Sequence, residues 1–265
     1  MIDLNILIDE PADVYHEKAK ENLSSHQLIT FMRCPYLYAK KRAGLVQDVD
    51  SPAYFLGRAT HTRILEGVSV YESQYAVGGP INPSTGKPFG STTKKFLEWQ
   101  EVQRKPVIPF EKADLIEAMN AGVRMNALAC QLLERGKAEG VVRAKYRDFQ
   151  CQIRIDWTSP KLGIVDLKTC DDLTWFESDT RRFNYVHQLA FYQSVLGLAI
   201  GLTVPVYVIA VEKKEPFRCG VWQIPEETLF QARAENEAAM ERLREANRDD
   251  KFVTGYEELR YLFLN

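Results

Sequence analysis

Asp166 and Lys168 are the charged residues of an otherwise largely apolar segment, GIVDLKT, at residues 163–169. The β-branched Ile164 and Val165 favour a strand, and so apolar a segment indicates a strand that is largely buried. Residues two apart on a strand share a face, so the two charged side chains should lie side by side. A buried carboxylate must be paired or bind a cation, because burial of an isolated charge is too costly. Two interpretations stay open: a structural ion pair, or an active site that faces a metal ion and a substrate.

Asp156 supplies a second carboxylate on the preceding predicted strand, QCQIRIDWTS. If the two strands form a hairpin about Ser159–Lys161, Asp156 and Asp166 lie on adjacent strands. Hard divalent cations such as Mg²⁺ bind one or two carboxylates together with waters and substrate phosphates. A nearby lysine can position the attacking water and counter the charge that builds up on the phosphoryl oxygens. The spacing therefore predicts a site for metal-assisted phosphoryl chemistry.

Four further residues could complete such a site. Gln188 and Tyr192 are spaced i and i+4 and share one face of a predicted helix, although Tyr192 could equally be a core residue with its hydroxyl at the rim. His61 lies in the predicted helix PAYFLGRATHTRILEG, where a lone histidine is more often a satisfied helical residue than a ligand. Glu139 directly precedes the first predicted strand and could bind a metal through water or face only solvent.

The elements that must position these residues change in type along the chain. Ser24 or Ser25 can cap a helix through HQLITFMRCPYLYAKKRAG that ends at Gly44. Residues 78–90 are rich in Gly, Pro and Ser and predict a loop. The order predicts a single α/β domain, residues 1–265, with a mainly helical N-terminal layer (1–135) and a sheet with flanking helices (136–265). Further helices are predicted in STTKKFLEWQEVQ, FEKADLIEAMNAGVRMNALACQLLERG, FNYVHQLAFYQSVLGLAIG and EETLFQARAENEAAMERLREANR, and strands in VVRAKYRDF, QCQIRIDWTS, LGIVDLKT, VPVYVIAVEK and FRCGVWQIP.

The composition is that of an ordinary globular protein, with 45% hydrophobic and 26% charged residues. A net charge of −2 excludes a globally basic nucleic-acid-binding protein but leaves room for a local basic groove. No apolar stretch approaches the length of a membrane span, and the first residues lack a basic region followed by an apolar core. We therefore expect a cytoplasmic protein without membrane association. The five cysteines are widely spread without a CxxC pair, which is typical of free thiols in a reducing compartment.

A basic and aromatic helix end offers a candidate surface for DNA. Cations neutralise phosphates, and aromatic rings pack on bases or sugars, so this composition indicates a polyanion partner. A solvated amphipathic face is the alternative interpretation. The candidate DNA-binding residues are Arg33, Tyr36, Lys40, Lys41 and, on the next predicted helix, Arg58.

In their order along the chain, these residues resemble the motifs of a known nuclease family. The set resembles the motifs of the RecB-type branch of the PD-(D/E)xK nucleases and consists of Gly57-x-x-x-His61, Glu139, Asp156, Asp166-x-Lys168 and Gln188-x-x-x-Tyr192. A closer similarity is to exonuclease VIII, the RecE-type phage recombination nucleases. The segments that carry this similarity are YFLGRATHTRILEG, LLERGKAEGVV and CQIRIDW…GIVDLKT. The resemblance runs from about Ser25 to Tyr192. Val165 stands where the named motif nominally has Pro, so only the charged residues of that motif carry over.

The resemblance implies a restriction-endonuclease-like fold, in which helices flank a central mixed β-sheet. It also implies a role for each matched residue. By similarity, His61, Asp156, Asp166 and the backbone carbonyl of Leu167 would be metal ligands, while Lys168, Glu139, Gln188 and Tyr192 would be catalytic residues.

The activity implied by the resemblance is Mg²⁺-dependent hydrolysis of one strand of linear duplex DNA from its 5′ end, with Mn²⁺ able to substitute. Such enzymes form rings around DNA and act beside a single-strand annealing protein in recombination. Alternatives are a flap or single-strand nuclease, a catalytically silent DNA-binding module and, less favoured, a hydrolase of another phosphate ester. Some relatives hold an iron–sulphur cluster on one early cysteine and three late ones. Only Cys219 lies late in this chain, so we predict no cluster.

Overall fold

The computed structural model describes residues 1–261, and its main sheet lies in the second half of the chain, as the sequence predicts. Two very short strands form a separate parallel pair in the first half. The remaining strands are longer and rich in Val and Ile, which suit a pleated, buried surface. The strands are β1 Ala76–Val77, β2 Val107–Ile108, β3 Lys137–Tyr146, β4 Phe149–Ser159, β5 Gly163–Cys170, β6 Val206–Glu212 and β7 Cys219–Gln223.

The helices surround this sheet and supply most of the N-terminal half. Short 3₁₀ turns occur at Leu4–Ile6, Lys18–Lys20 and Leu173–Trp175, and a π-helical turn at Thr62–Glu66. The α-helices are α1 Ala12–Glu17, α2 Ser25–Arg33, α3 Pro35–Arg42, α4 Pro52–His61, α5 Val68–Gln74, α6 Lys94–Glu101, α7 Phe110–Met125, α8 Ala127–Leu132, α9 Phe176–Arg182, α10 Tyr185–Ile200 and α11 Glu226–Asp249. Among the described residues, no helix combines the length and the hydropathy that a membrane span requires.

Two predicted helices are each divided in the structure. Ser24 caps the first helix with a reciprocal capping box that includes Gln27. The helix stops at Cys34, which has φ −160° and ψ 100°, because the ring of Pro35 disfavours a helical conformation in the residue before it. Asn126 divides the second, since its side chain accepts hydrogen bonds from the Leu128 and Ala129 N–H groups and caps a new helix. The single-helix predictions for these two segments were wrong.

The main sheet has the order β3-β4-β5-β6-β7 and is mixed. β3, β4 and β5 form an antiparallel meander, β6 lies parallel to β5, and β7 is antiparallel to β6. The parallel step requires a crossover, which α10 makes between β5 and β6. The hairpin between β4 and β5 confirms the predicted turn, and the five-stranded mixed sheet flanked by helices confirms the predicted fold class.

Hydrophobic cores cover both faces of the sheet, which explains why β5 reads as a nearly continuous apolar segment. Ile164 faces a core that includes Leu189 and Val195 of α10. Val165 and Leu167 face the opposite core, which includes residues of α7 and α8. Because successive side chains alternate, any polar residue within β5 must enter a buried environment.

The pairing of the strands breaks where the candidate site lies. The ladder between β4 and β5 runs from Ser159↔Gly163 to Trp157↔Val165 and stops there, so Asp156 and Asp166 come directly after its last pair. On the other side of β4, Glu139 occupies the unpaired position between two ladder pairs. The structure therefore gathers three carboxylates in one row across three strands.

Candidate active site

Asp156 and Asp166 lie beside one another where β4 and β5 separate. The Leu167 N–H donates to Oδ2 of Asp156 at 2.9 Å, so a side chain of β4 replaces the backbone acceptor that a continuous ladder would provide. This bond fixes the Asp156 carboxylate against the backbone of β5. The predicted juxtaposition of the two aspartates on adjacent strands is present in the structure.

Lys168 lies on the same face of β5 as Asp166, as the period of a strand requires. Its Nζ is 2.6 Å from Asp166 Oδ2, within ion-pair distance, but the angles at the contact are poor for a hydrogen bond. Asp166 is 1% exposed, and neither of its carboxylate oxygens has a well-aligned donor among residues 1–261. Buried carboxylates normally satisfy their oxygens with donors or bind a cation. The ion pair is present, but the carboxylate oxygens of Asp166 can still accept hydrogen bonds or bind a cation.

His61 reaches the same place from the end of α4. Its Nδ1 lies 3.5 Å from Oδ2 of Asp156. The backbone of Leu167 also lies near this ring, although its effect on the pKa of His61 is smaller than those of burial and Lys168. The π-helical turn Thr62–Glu66 follows directly and ends at Gly67, whose φ of 90° favours glycine. Such π-helical turns are rare in proteins, and those that occur are often found at functional sites.

Glu139 completes the row from β3. The sequence places it just before the first strand, but in the structure it lies inside β3, with a φ of 54° that is unusual for a non-glycine residue. Its Oε2 is 2.8 Å from Nε of Arg154 on the neighbouring strand. One ligand atom from each of His61, Glu139 and Asp156 lies within 4.8 Å of the other two, close enough to share a metal ion.

Burial and mutual repulsion raise the pKa values of the carboxyl groups. Desolvation and the neighbouring Asp156 raise the pKa of Glu139 to about 8. Desolvation also raises the pKa of Asp166 to about 6, although Lys168 opposes this. Desolvation is also the main cause of the raised pKa of Asp156. Raised carboxyl pKa values mean that the ionised site is costly without a positive charge.

The cationic groups respond in opposite directions. Burial, followed by the charge of Lys168, lowers the pKa of His61 to about 4, so its ring is neutral at physiological pH. Neutral imidazole is the form that binds metals. Burial lowers the pKa of Lys168, but Asp166 and Asp156 raise it more, so the lysine stays protonated.

These observations fit a divalent cation. A buried carboxylate without a well-aligned donor, two further acidic side chains and a neutral imidazole form an oxygen-rich ligand set with one nitrogen. The close group contains His61, Glu139 and Asp156, whereas Asp166 leans toward Lys168. The roles assigned by resemblance, with Asp166 as ligand and Glu139 as helper, stay predictions.

Gln188 and Tyr192 share one face of α10 and contact one another. Gln188 Nε2 donates to the Tyr192 hydroxyl oxygen at 3.2 Å. Desolvation, followed by the charges of Tyr15, Asp156 and Asp166, raises the pKa of Tyr192 well above its usual value. The ring itself belongs to the core. Tyr192 is thus a core residue in contact with Gln188, and its role in orienting water or substrate stays a prediction.

The predicted DNA-binding residues do not form one free basic patch. Arg58 makes two hydrogen bonds to Asp50, at 2.6 and 3.0 Å, and Lys41 pairs with Asp48. Lys40 lies 5.0 Å from the ring centre of Tyr36, itself 45% exposed. Arg33 Nη2 donates to the backbone carbonyl of Arg182, a residue far from its own helix in the sequence. Their role in DNA binding stays a prediction.

Two residues that contact the site were not singled out from the sequence. Arg154 lies two residues before Asp156, so the strand period could have placed it on the same face. Tyr185 lies three residues before Gln188 on α10, and Lys168 Nζ sits 4.8 Å from the centre of its ring. Helical spacing could have flagged this tyrosine.

The fold and the site define a domain of the PD-(D/E)xK nuclease superfamily type, with a lysine two residues after an acidic residue on a central strand. The chain belongs to the family described as PDDEXK-like domain of unknown function (DUF3799), which matches residues 24–262. Membership of the superfamily is thereby confirmed. A search of curated proteins found no match. The more specific likeness to RecE-type exonuclease VIII is left as a proposal.

A solved structure shares the fold over nearly the whole chain. It is the crystal structure of a protein from Eubacterium rectale described as a "putative exonuclease". The TM-score is 0.71 at 16% sequence identity, and the similarity covers 97% of each chain. At this identity the similarity establishes the shared fold.

Proposed function

We propose that this protein is a divalent-metal-dependent nuclease that hydrolyses phosphodiester bonds of DNA. The observation that carries the proposal is the buried Asp166 carboxylate, which lacks a well-aligned donor and lies beside Asp156 and the ammonium group of Lys168. A purely structural ion pair would gain from full hydrogen bonding, whereas this site keeps acceptor capacity for a cation and its substrate.

In this proposal, each residue of the site has its own part in the hydrolysis. His61, Glu139, Asp156, Asp166 and the Leu167 carbonyl would hold Mg²⁺ or Mn²⁺. When bound, such an ion polarises a phosphoryl oxygen and lowers the pKa of a coordinated water. Lys168 stays protonated, so its ammonium group can orient water by hydrogen bonding and stabilise the negative charge of the transition state. The Tyr192 hydroxyl, held by Gln188, can donate to a phosphate oxygen.

We infer further that the enzyme is an exonuclease on linear duplex DNA, degrades from the 5′ end and prepares single strands for recombination. Two observations support this: the resemblance of the motifs to RecE-type nucleases, and the shared fold with the "putative exonuclease" of E. rectale. The same resemblance supports a ring-shaped homo-oligomer that acts beside a single-strand annealing protein.

The test uses purified protein with Mg²⁺ or Mn²⁺ and two forms of one plasmid. Linear 5′-phosphorylated duplex should be degraded and covalently closed circles should stay intact, because an exonuclease requires an end. Lys168→Ala should abolish degradation, while Lys145→Ala, which changes a lysine exposed on β3, should cleave like the parent. Equal cleavage by Lys168→Ala and the parent would overturn the proposal.

Other outcomes separate the alternatives. Cleavage confined to flaps or single strands would replace the exonuclease by a flap or single-strand nuclease. Tight DNA binding without cleavage in either metal would indicate a silent binding module. Labels at the 5′ or the 3′ end report polarity, and native mass spectrometry reports whether the protein forms a closed ring.

A further inference from the structure

A column of aromatic rings leads from the core to the surface beside Lys168. The buried Phe176 contacts the partly buried Trp222, with ring centres 4.8 Å apart. Phe176 packs on Tyr185 at 6.4 Å, and Tyr185 stacks on Phe183 at 5.6 Å with an interplanar angle of 26°. Phe176 is 2% exposed, whereas Phe183 is 43% exposed. The column thus ends in an open aromatic surface.

The outer end of the column is held in place rather than loosely attached. Phe183 and Asn184 connect α9 to α10, and Asn184 has a left-handed backbone conformation with φ 57°. Arg33 donates to the backbone carbonyl of Arg182 at 3.0 Å. With the Asn184 amide turned so that its oxygen faces Arg33, that oxygen accepts two further bonds at 3.0 and 3.1 Å. A cation from α2 therefore fixes the connection that presents Phe183.

The position and charge of this surface suit a nucleotide. Lys168 Nζ lies 4.8 Å from the centre of the Tyr185 ring, and the Phe183 ring stacks on the same tyrosine at 5.6 Å. Phe183 is therefore one aromatic ring away from Lys168, near enough to contact a nucleotide of a strand whose phosphate is held there. The guanidinium of Arg182 lies 5.3 Å from the Phe183 ring centre and can neutralise a phosphate there. Aromatic faces beside cations are the usual means of binding unpaired bases.

We propose that Phe183, supported by Tyr185, is a stacking subsite for one unpaired base of the DNA strand whose phosphate is bound at Lys168. The proposal rests on the proposed nuclease function and deepens it, because it places an unpaired nucleotide beside the reacting phosphate. Tyr185 acts as a positioning residue, since it supports both Phe183 and the Lys168 ammonium group. The subsite selects no base, because every base offers an aromatic face.

The test is a binding cycle in Asp166→Asn protein, which should retain DNA without cutting it. A series of oligonucleotide duplexes carries a single abasic nucleotide at each of the first positions from the 5′ or the 3′ end. Phe183→Ala should weaken binding of intact DNA about 10-fold. At one abasic position, the same substitution should have no further effect, because the stacking partner is already missing.

Three comparisons keep the result interpretable. Phe183→Tyr should retain the affinity, since it keeps the ring. Trp175→Ala is the matched control, because Trp175 is 65% exposed nearby on the chain but joins no ring stack among residues 1–261. Thermal melting of each variant verifies that the protein is folded.

The possible failures are distinguishable. Additive effects of Phe183→Ala and every abasic position would overturn the stacking subsite, whether or not the parent enzyme cleaves DNA. Cleavage by the parent together with additive effects would leave the nuclease proposal intact. A parent that neither binds nor cleaves DNA would overturn both proposals.

Discussion

Two clusters of charged residues lie close together along β5, and their carboxyl groups behave in opposite ways. In the candidate active-site cluster, Asp166 and Glu139 have raised pKa values, and Asp166 lacks a well-aligned donor within residues 1–261. In the second cluster, just beyond the end of β5, Asp172 and Glu212 have lowered pKa values. Both clusters combine acidic and basic side chains, so composition alone does not separate them.

The difference lies in the hydrogen bonds. Glu212, which is fully buried, accepts from Leu173 N–H at 2.9 Å and from Arg218 at 2.6 and 2.8 Å. Asp172 accepts from Lys214 at 2.9 Å, from Thr174 N–H at 2.9 Å and from Arg218 at 3.1 Å. The bonds from Arg218 and Lys214 are the largest causes of the lowered pKa values.

The comparison distinguishes a structural cluster from a functional one. Donors that satisfy a carboxylate stabilise its ionised form and the fold with it. At the active site, burial outweighs the donors, so the ionised carboxylates cost stability until a cation arrives. We infer that unsatisfied acceptors with raised pKa values, rather than charge density, distinguish the proposed catalytic cluster at Asp166 from the structural cluster at Asp172 and Glu212.

The largest expected effect is at Asp166. Asp166→Asn should reduce DNA cleavage by about 10³-fold, because it removes a negative charge needed beside the metal and Lys168. The same variant should lower the melting temperature less than Glu212→Gln does, because the removal of a costly buried charge offsets the loss of the ion pair with Lys168. Cleavage rates and calorimetric melting of one preparation measure both effects. A loss of stability comparable to the loss of activity would contradict the proposed difference between the clusters.

The next effect is at Glu212, where stability should fall. Glu212→Gln should lower the free energy of unfolding by about 2 kcal/mol, because it leaves the Arg218 guanidinium without its buried carboxylate partner. Urea denaturation measures this change. Lys94→Ala serves as the control, since it breaks an exposed i,i+4 pair with Glu98 and should change stability little. If Glu212→Gln unfolds like the parent, the second cluster is not structural.

The smallest effect is in the pH dependence of metal affinity. Protons compete with the metal for Glu139 and Asp166, whose pKa values in the metal-free protein are about 8 and about 6. Mn²⁺ affinity should therefore rise with pH from 6 to 8, by up to about tenfold per unit for each proton displaced. Calorimetric titration in buffers of different ionisation enthalpy measures the released protons.

Matched variants assign this pH dependence to its cluster. Glu139→Gln should remove the upper part of the rise, because it removes the group that titrates near pH 8. Asp172→Asn should leave the slope unchanged, since the pKa of Asp172 is lowered and lies far below this range. An equal change of slope in both variants would contradict the assignment.

Much of the site could be predicted from the sequence because strand and helix periods are local rules. The period of two put Lys168 beside Asp166, the hairpin spacing put Asp156 next to them, and the i,i+4 spacing joined Gln188 to Tyr192. The division of the helix at Cys34 was also readable, since Pro35 restricts the residue before it. The prediction of a single helix failed because it relied on the basic and aromatic residues, which continue on both sides of Cys34, and not on the effect of Pro35.

Other features depend on contacts between distant segments. The acidic residues Asp48 and Asp50 neutralise Lys41 and Arg58, which neither helix pattern indicates. The unusual backbone of Glu139 and the early end of the β4–β5 ladder arise where three strands meet. Arg33 fixes Asn184 and Arg182 across a long separation in sequence. Such arrangements need the packed structure, because no local propensity specifies them.

The sequence by itself determined the identity and the order of the acidic, basic and aromatic groups, and the faces of the elements that carry them. Tertiary structure alone decided which acceptors stay unsatisfied. Burial of β5 between two cores removes water from Asp166, and the side chains packed around it among residues 1–261 supply no well-aligned donor. Among residues 1–261, the Asp166 carboxylate lacks the well-aligned donors that Asp172 and Glu212 receive, and this difference is why we propose that it takes part in a cation site.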